Sequence, residues 1–223
     1  LSWGLENQSP IQVIPCCTDE HHFNKSKTEN KRSELGLTKD DFVVGYLGSI
    51  GTWYMLDEML DFFKVLLTIK KEAKFLFITK DNSTEIINKC LAKGIPTDLI
   101  VVQPSTREEV PAYINTCNVS LFFIKPVYSK KASSPTKMGE IMNMGVPIIC
   151  NAGVGDVDVV MNKVMPNLLV NTFDTLAYQK VAKELIETYE KMDSQKIMEV
   201  SYNYFSLKKG VESYCQVYQS ILK

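Results

Sequence analysis

Two hydrophobic rhythms alternate along the chain. Short, nearly continuous apolar runs at 42–47, 74–79, 99–102, 119–124 and 147–150 have the length and the β-branched or aromatic content of strands buried on both faces. Between them, apolar residues recur at helical spacing. The stripe from 53 to 69 places them at 56, 59, 60, 63, 66 and 67, and the segments 83–93, 107–116 and 135–145 also read as helices. A glycine-bearing turn at 151–155 then leads to a short helix near 156–161 and a last strand at 168–170. Helices near 174–191, 193–202 and 207–222 close the chain. A short apolar run at 11–14, stopped by Pro15, predicts one more strand at the start. Regular strand–helix alternation with apolar strands predicts a Rossmann-like α/β fold. Its parallel sheet should carry helices on both faces, joined by right-handed crossovers.

Such sheets bind ligands beyond the carboxyl ends of their strands. That edge collects residues 48–52, 79–81, 103–105, 125–137 and 151–156, which should converge on one crevice. Gly48-Ser49-Ile50-Gly51-Thr52 leaves a strand and opens a helix. Gly48, Ser49, Gly51 and Thr52 could let the backbone approach a phosphate, or form a tight turn that needs glycine dihedrals. The run is neither a complete Gly-x-Gly-x-x-Gly fingerprint nor a P-loop. Ser134-Pro135-Thr136-Lys137-Met138-Gly139-Glu140 reads as a helix start, with Ser134 as cap and Pro135 at the first helical position. Met138, Ile141, Met142 and Gly145 share one face, and Lys137 and Glu140 the opposite one. Free backbone N–H groups, two hydroxyls and the Lys137 amine suit a phosphate, while Glu140 could take ribose hydroxyls. The polar run 128–134 holds Lys130 and Lys131. It is a solvated loop or, folded over the crevice, a source of charge for a diphosphate. The turn 151–156 allows close approach to a ligand, or simply lets Asp156 cap the next helix. Trp53 and Tyr54 are candidates for stacking on a base or for ordinary packing.

The 223 residues suffice for one large or two small domains; 45% are hydrophobic and 23% charged, the balance of a globular protein. A net charge of -1 argues against a broad nucleic-acid surface, so no nucleic-acid partner is expected. No run approaches the roughly 20 apolar residues of a membrane span. The six cysteines form no Cys-x-x-Cys pair and read as reduced thiols, with Cys117 and Cys150 in the core. His21-His22 lacks a third ligand at metal-binding spacing, and no Ser–His–Asp or Cys–His pattern can be assembled. The first residue is not methionine, and the chain reads as a piece of a longer protein.

Several motifs in order resemble the C-terminal, donor-binding half of a GT-B-fold retaining glycosyltransferase of group 1, or family 4. Val13-Ile14-Pro15-Cys16-Cys17-Thr18-Asp19 through Phe23 resembles the start of the family's second domain. Val44-Gly45-Tyr46-Leu47-Gly48-Ser49 resembles its first strand and phosphate loop. Ser134 to Glu140, with Gly145-Val146-Pro147-Ile148-Ile149, resembles the donor motif, and Gly155-Asp156-Val157 follows as expected. The end, Phe205-Ser206-Leu207 through Tyr214 and Tyr218, is similar to the closing helix. The resemblance implies transfer of a sugar from a nucleotide-sugar, a UDP- or GDP-sugar, with retention and no obligatory metal or other cofactor. Glu140 would hold the donor ribose; Ser134, Thr136 and Lys137 would face the diphosphate or the sugar. The acceptor, a glycan or glycolipid in polysaccharide assembly, would be held by an N-terminal domain. The full-length protein would be cytoplasmic, at or near the inner face of the membrane through peripheral association.

The implied division is a tail at 1–10, a nucleotide-sugar domain at 11–206 and a helix at 207–223 that packs back on the other domain. Val211, Tyr214, Val217, Tyr218 and Ile221 give that helix an apolar face, so concentration-dependent self-association of this chain is expected. The sequence departs from the family pattern in two places. Its first glutamate, eight positions before the second, is Ala132, and its basic pair after the first strand appears as Ser49 and Trp53. Two other readings therefore stand beside transfer: a non-catalytic nucleotide-binding or interaction module, and half of a sugar-nucleotide epimerase.

Overall fold

The computed structural model describes residues 11–222, and the tail expected at 1–10 lies outside them. Its centre is a six-stranded sheet in the order β3-β2-β1-β4-β5-β6. The strands are β1 (Val43–Leu47), β2 (Lys74–Ile78), β3 (Ile100–Gln103), β4 (Val119–Leu121), β5 (Ile148–Asn151) and β6 (Leu169–Val170). Every pairing is parallel, with Val43 opposite Lys74 on one side of β1 and Val44 opposite Val119 on the other. Helices α1 (Leu56–Leu67) and α2 (Ser83–Ala92) carry the chain outward from β1. Helices α3 (Val110–Ile114), α4 (Thr136–Asn143) and α5 (Val157–Val164) carry it away in the other direction. Right-handed crossovers put these two groups on opposite faces. The order reverses between β1 and β4, which opens a crevice at the carboxyl ends of those two strands.

Aromatic side chains fill the core. Phe63 of α1 packs on Phe75 of β2 at 4.9 Å between centroids, and Phe62 meets Tyr178 at 5.6 Å. The second contact ties α6 (Thr175–Thr188) to α1. Each fully buried side chain of this kind stabilises the fold by roughly 1.5–3 kcal/mol. On the other face α7 (Ser194–Phe205) packs over α4 and α5, and α8 (Leu207–Ile221) follows directly, capped by Ser206 Oγ, which accepts from the Lys209 N–H at 3.3 Å.

The fold is the Rossmann-like one predicted, with local differences. Residues 11–14 form no strand: Ile11 and Val13 are exposed, and the nearest pairing is a parallel bridge from Thr18 to Ser206. Helix α1 starts at Leu56 rather than 53 because Tyr54 is drawn into bridges with Gly51 and Ile124. The segment 107–116 shortens to α3, since a Glu109 oxygen takes the Thr106 N–H at 2.8 Å and forms a turn first. Strand β4 ends at Leu121, where the chain swings toward Trp53. Ser134 does not cap α4. Its hydroxyl accepts the Cys16 N–H at 3.1 Å, and Pro135 itself occupies the cap position without a side-chain acceptor. Lys137 and Glu140 do not form a solvent face either, because α4 is buried from Lys137 through Asn143 between the sheet and α7. Asp156 stands at the cap of α5, yet its side chain makes no capping bond.

Candidate functional site

The polar loops at the carboxyl edge are stitched into one rim. The Gly48 N–H donates to the Ile78 carbonyl at 3.0 Å, and the Ile50 N–H donates to the Asp81 carboxylate. Thr79 donates to the Gln103 carbonyl at 3.1 Å. Across the switch point, Met55 donates to Phe123 at 3.0 Å and Lys125 to Trp53 at 2.9 Å. Asn151 then clamps both backbone groups of Ile124, at 2.8 and 2.9 Å, and the Asp156 N–H reaches the Ser133 carbonyl at 3.3 Å. Residues far apart in sequence thus converge, as their placement at strand ends requires.

The β1–α1 turn is built on unusual dihedrals. Gly48 and Gly51 have φ of 111° and 82°, and Thr52, at 50°, is the only positive-φ residue other than glycine among the described residues. Left-handed backbone costs a β-branched residue about 1 kcal/mol or more, so the rim holds Thr52 there. Ser49, Gly51 and Thr52 are exposed or nearly so, and no described acceptor takes the N–H of Ser49 or Thr52. Facing this turn is the start of α4, where Pro135 is buried, Thr136 is exposed and the first N–H groups have no side-chain cap. An uncapped helix start beside free turn N–H groups favours an anion.

Lys137 lies beneath the turn. The residue is 8% exposed, and its amine has no hydrogen-bond partner among the described residues. Nζ sits 3.5 Å from the ring centre of Tyr54, 4.6 Å from Tyr46 and 5.8 Å from Phe122. Burial pushes its pKa down to about 7, against the opposing pull of Glu140. Glu140, also buried, accepts from Arg107 Nη1 at 3.2 Å; that guanidinium is mostly exposed and lies over the Phe23 ring. Lys130 stands 4.3 Å above the Trp53 ring, outside the turn, and Lys131 reaches only the Tyr128 ring at 5.8 Å from an exposed position. Lys137 Nζ therefore lies against Gly48, where a Cβ would stand 3.0 Å from it, while Ser49, Gly51, Thr52 and Thr136 are exposed at the same edge of the sheet. Glu140 lies one helical turn on, and Lys130 covers the outer side. Ser134 and Pro135 serve the backbone path, and Lys131 stands apart.

Residues 27–199 match the family model for glycosyl transferases group 1. The chain belongs to that family. A comparison with curated proteins finds no significant match. Among solved structures, a glycosyltransferase from Rickettsia africae ESF-5 superposes with a TM-score of 0.74 at 12% identity, covering 96% of this chain and 57% of that one. The C-terminal domain of a group 1 family glycosyl transferase, LpcC, from Francisella tularensis gives 0.63 at 15% identity, covering 85% and 99% respectively. A mutant of S. aureus TarM in complex with fondaparinux, alpha-GlcNAc-glycerol and UDP gives 0.61 at 12% identity, covering 80% and 36%. At these identities the likeness is one of fold, and the chain spans little more than half of the Rickettsia africae protein.

Within this group 1 domain, sequence reading missed three residues that shape the site and offered a fourth, Tyr54, only as a candidate for stacking on a base or for packing. Tyr46, Tyr54 and Phe122 enclose Lys137, and Arg107 holds Glu140. Tyr46 and Phe122 looked like core because they lie in the apolar strand runs 42–47 and 119–124. Only the buried lysine opposite them, visible once α4 is placed, reveals a polar purpose. Arg107 carried no signal beyond its place at the start of the expected helix 107–116. No group of three or more metal-binding side chains occurs among the described residues, and none of their helices is long and apolar enough to cross a membrane.

Proposed function

We propose that this chain is the donor-binding half of a group 1 glycosyltransferase. It would hold a nucleotide-sugar, a UDP- or GDP-sugar, at the β1–β4 switch point for transfer with retention to a glycan or lipid-linked acceptor. One observation carries the reading: the Lys137 amine, in the uncapped first turn of α4 and without a partner among the described residues, lies against the glycine turn after β1, 3.0 Å from where a Gly48 Cβ would stand. Turn N–H groups and the helix start suit a diphosphate, and Glu140, one helical turn on and paired with Arg107, would take the ribose hydroxyls. As the glycosidic bond breaks, negative charge grows on the leaving diphosphate, and preorganised donors there stabilise it most. The departures from the family pattern are partly offset in space. Trp53 stands where the family has one of its basic pair, and Lys130 brings an ammonium onto that very ring. Support for the C-terminal placement comes from the Francisella tularensis domain, described as C-terminal, and support for a uridine nucleotide from the TarM complex. No obligatory metal is proposed.

Thermal unfolding with UDP, GDP, ADP, CDP and TDP, with and without magnesium, tests the reading. A ligand at about a hundred times its dissociation constant adds roughly 2.7 kcal/mol of stability. A midpoint shift with one diphosphate, abolished in Glu140→Ala with the fold intact, is the expected result. No shift with any of them counts against a donor site in this chain. Ala132, exposed where the family has its first glutamate, favours a second reading of nucleotide binding without transfer. Binding in the absence of any sugar release or transfer by the full-length protein would select it.

A further inference from the structure

Three buried side-chain polar atoms lack a hydrogen-bond partner among the described residues: Thr18 Oγ1, Asn143 Nδ2 and Lys137 Nζ. The lysine is the one that can carry charge, and an unpaired buried charge is the costliest of the three. Its surroundings show why it is tolerated. Tyr54 comes from the turn itself, Tyr46 from β1 and Phe122 from just beyond β4, so the amine is framed by the elements that border the crevice. Glycine at 48 leaves the amine close against the turn; a Cβ there would stand 3.0 Å from Nζ. The amine is therefore separated from the β1–α1 turn by no side chain of residue 48, and lysine's four-carbon stem gives it room to swing.

We propose that Lys137 is a cation held in reserve for the donor's diphosphate: it rests in the cage of Tyr46, Tyr54 and Phe122 and turns out to pair with the diphosphate once that group enters between the glycine turn and α4. The proposal rests on the nucleotide-sugar reading above. Aromatic faces hold an ammonium loosely, at about 0.5–2 kcal/mol, whereas a phosphate oxygen offers a charge-assisted hydrogen bond. A caged lysine is thus released when a better partner arrives. The charged and titratable groups around it are few. Glu140 lies on its own helix, engaged by Arg107, and Asp81, after β2, is engaged by the Ile50 N–H. The phenols of Tyr46 and Tyr54 are held neutral by burial, and Lys130 lies on the far side of the turn over Trp53. No carboxylate hydrogen-bonds the amine. In the cage the amine is part neutral at physiological pH, because its pKa lies at about 7. Pairing with a diphosphate returns it to the ordinary lysine range, so binding takes up a proton: about half a proton at pH 7 and most of one at pH 8.

Isothermal titration of this chain with the five nucleoside diphosphates and with inorganic pyrophosphate, in two buffers of different ionisation enthalpy, measures that proton count. Lys137→Met fills the same apolar seat without charge, and its titration supplies the ligand's own proton release for subtraction. The expected result is a wild-type excess of proton uptake that grows from pH 7 to pH 8. Affinity should fall tenfold or more in Lys137→Met, with partial recovery in Lys137→Arg, while thermal stability is at least that of the wild type. Binding by wild type and Lys137→Met with equal affinity and equal proton uptake would overturn the proposal and leave the donor site standing, with Lys130 as the remaining cation. No binding of any probe to the wild type would overturn both.

Discussion

Helices α4 and α8 invert the usual relation between composition and burial. The first carries Lys137, Glu140 and Asn143, yet every residue from 137 to 143 is buried. The second carries Val211, Tyr214, Tyr218 and Ile221, yet buries only Gly210, against Cys17. Packing explains α4. It is sandwiched between the sheet and α7, and Gly139 lets Phe205 and Thr18 close onto its backbone. Its two charged side chains escape along the helix toward the crevice, Glu140 to Arg107 and Lys137 under the glycine turn. Among the described residues nothing comparable covers α8, whose apolar positions follow one another at three- and four-residue spacing along an exposed stripe. Buried polar groups and exposed apolar stripes are the deviations that carry functional information, because folding alone selects against both. On the function proposed above, the first helix would serve a ligand and the second a macromolecular surface.

The sharpest break in this contrast is the charge inside α4. A lysine whose folded pKa is lowered from 10.5 to about 7 binds fewer protons than it does in the unfolded chain across that interval. Stability therefore rises with pH through the window between those two values, and below it the wild type bears the full cost of the buried charge. Lys137→Met lacks that slope. The variant should exceed the wild type by a few kcal/mol near pH 6.5, with the gap closing as pH approaches 10. Denaturant unfolding of both proteins at several pH values measures it, and a gap independent of pH would mean that the amine is solvated in the folded state.

Next in size is the contact that buries α4. A valine at position 139 would meet the Phe205 ring, 3.0 Å from the first added carbon, as well as the Thr18 hydroxyl. Overpacking of this kind costs about 1–3 kcal/mol. Gly139→Val should then lower the midpoint of thermal unfolding by roughly 2–12 °C for a domain of this size. A midpoint unchanged within error would show that α7 is free to retreat, and that the burial of α4 is looser than its packing implies.

These two positions also mark how far the sequence could be read. Strand runs such as 42–47 and 74–79 were legible because residues buried on both faces leave an unbroken apolar signal, and the α1 stripe was legible from its period. The convergence of the loops followed from strand polarity alone. Hydrogen bonding across the switch point was not legible, since nothing local says that Tyr54 pairs with Ile124 and delays α1 to Leu56. The run 11–14 looked like a strand because its apolar residues can equally serve a surface, and period cannot separate the two. Ser134 showed the right residue type for a cap, but a tertiary bond to the Cys16 N–H outcompeted the local one. For the candidate site, the glycines, Lys137 and Glu140 stood out by type. The cage and Arg107 did not, because their role exists only after three elements meet.

The smallest expected effect on stability falls on α8, and it tests the other half of the contrast. Val211 and Tyr218 are exposed by more than half, so replacing both with glutamate removes little buried area and should change unfolding free energy by no more than about 0.5 kcal/mol each. Association is a different matter. If the stripe pairs two copies of this chain, sedimentation should show a concentration-dependent dimer in the wild type and a monomer in Val211→Glu/Tyr218→Glu, with diphosphate binding untouched. A wild type that stays monomeric at high concentration would remove self-pairing and leave the exposed stripe for a different surface. A double variant that loses several kcal/mol would instead show that α8 belongs to the core of the domain, and the inversion between the two helices would then hold for α4 alone.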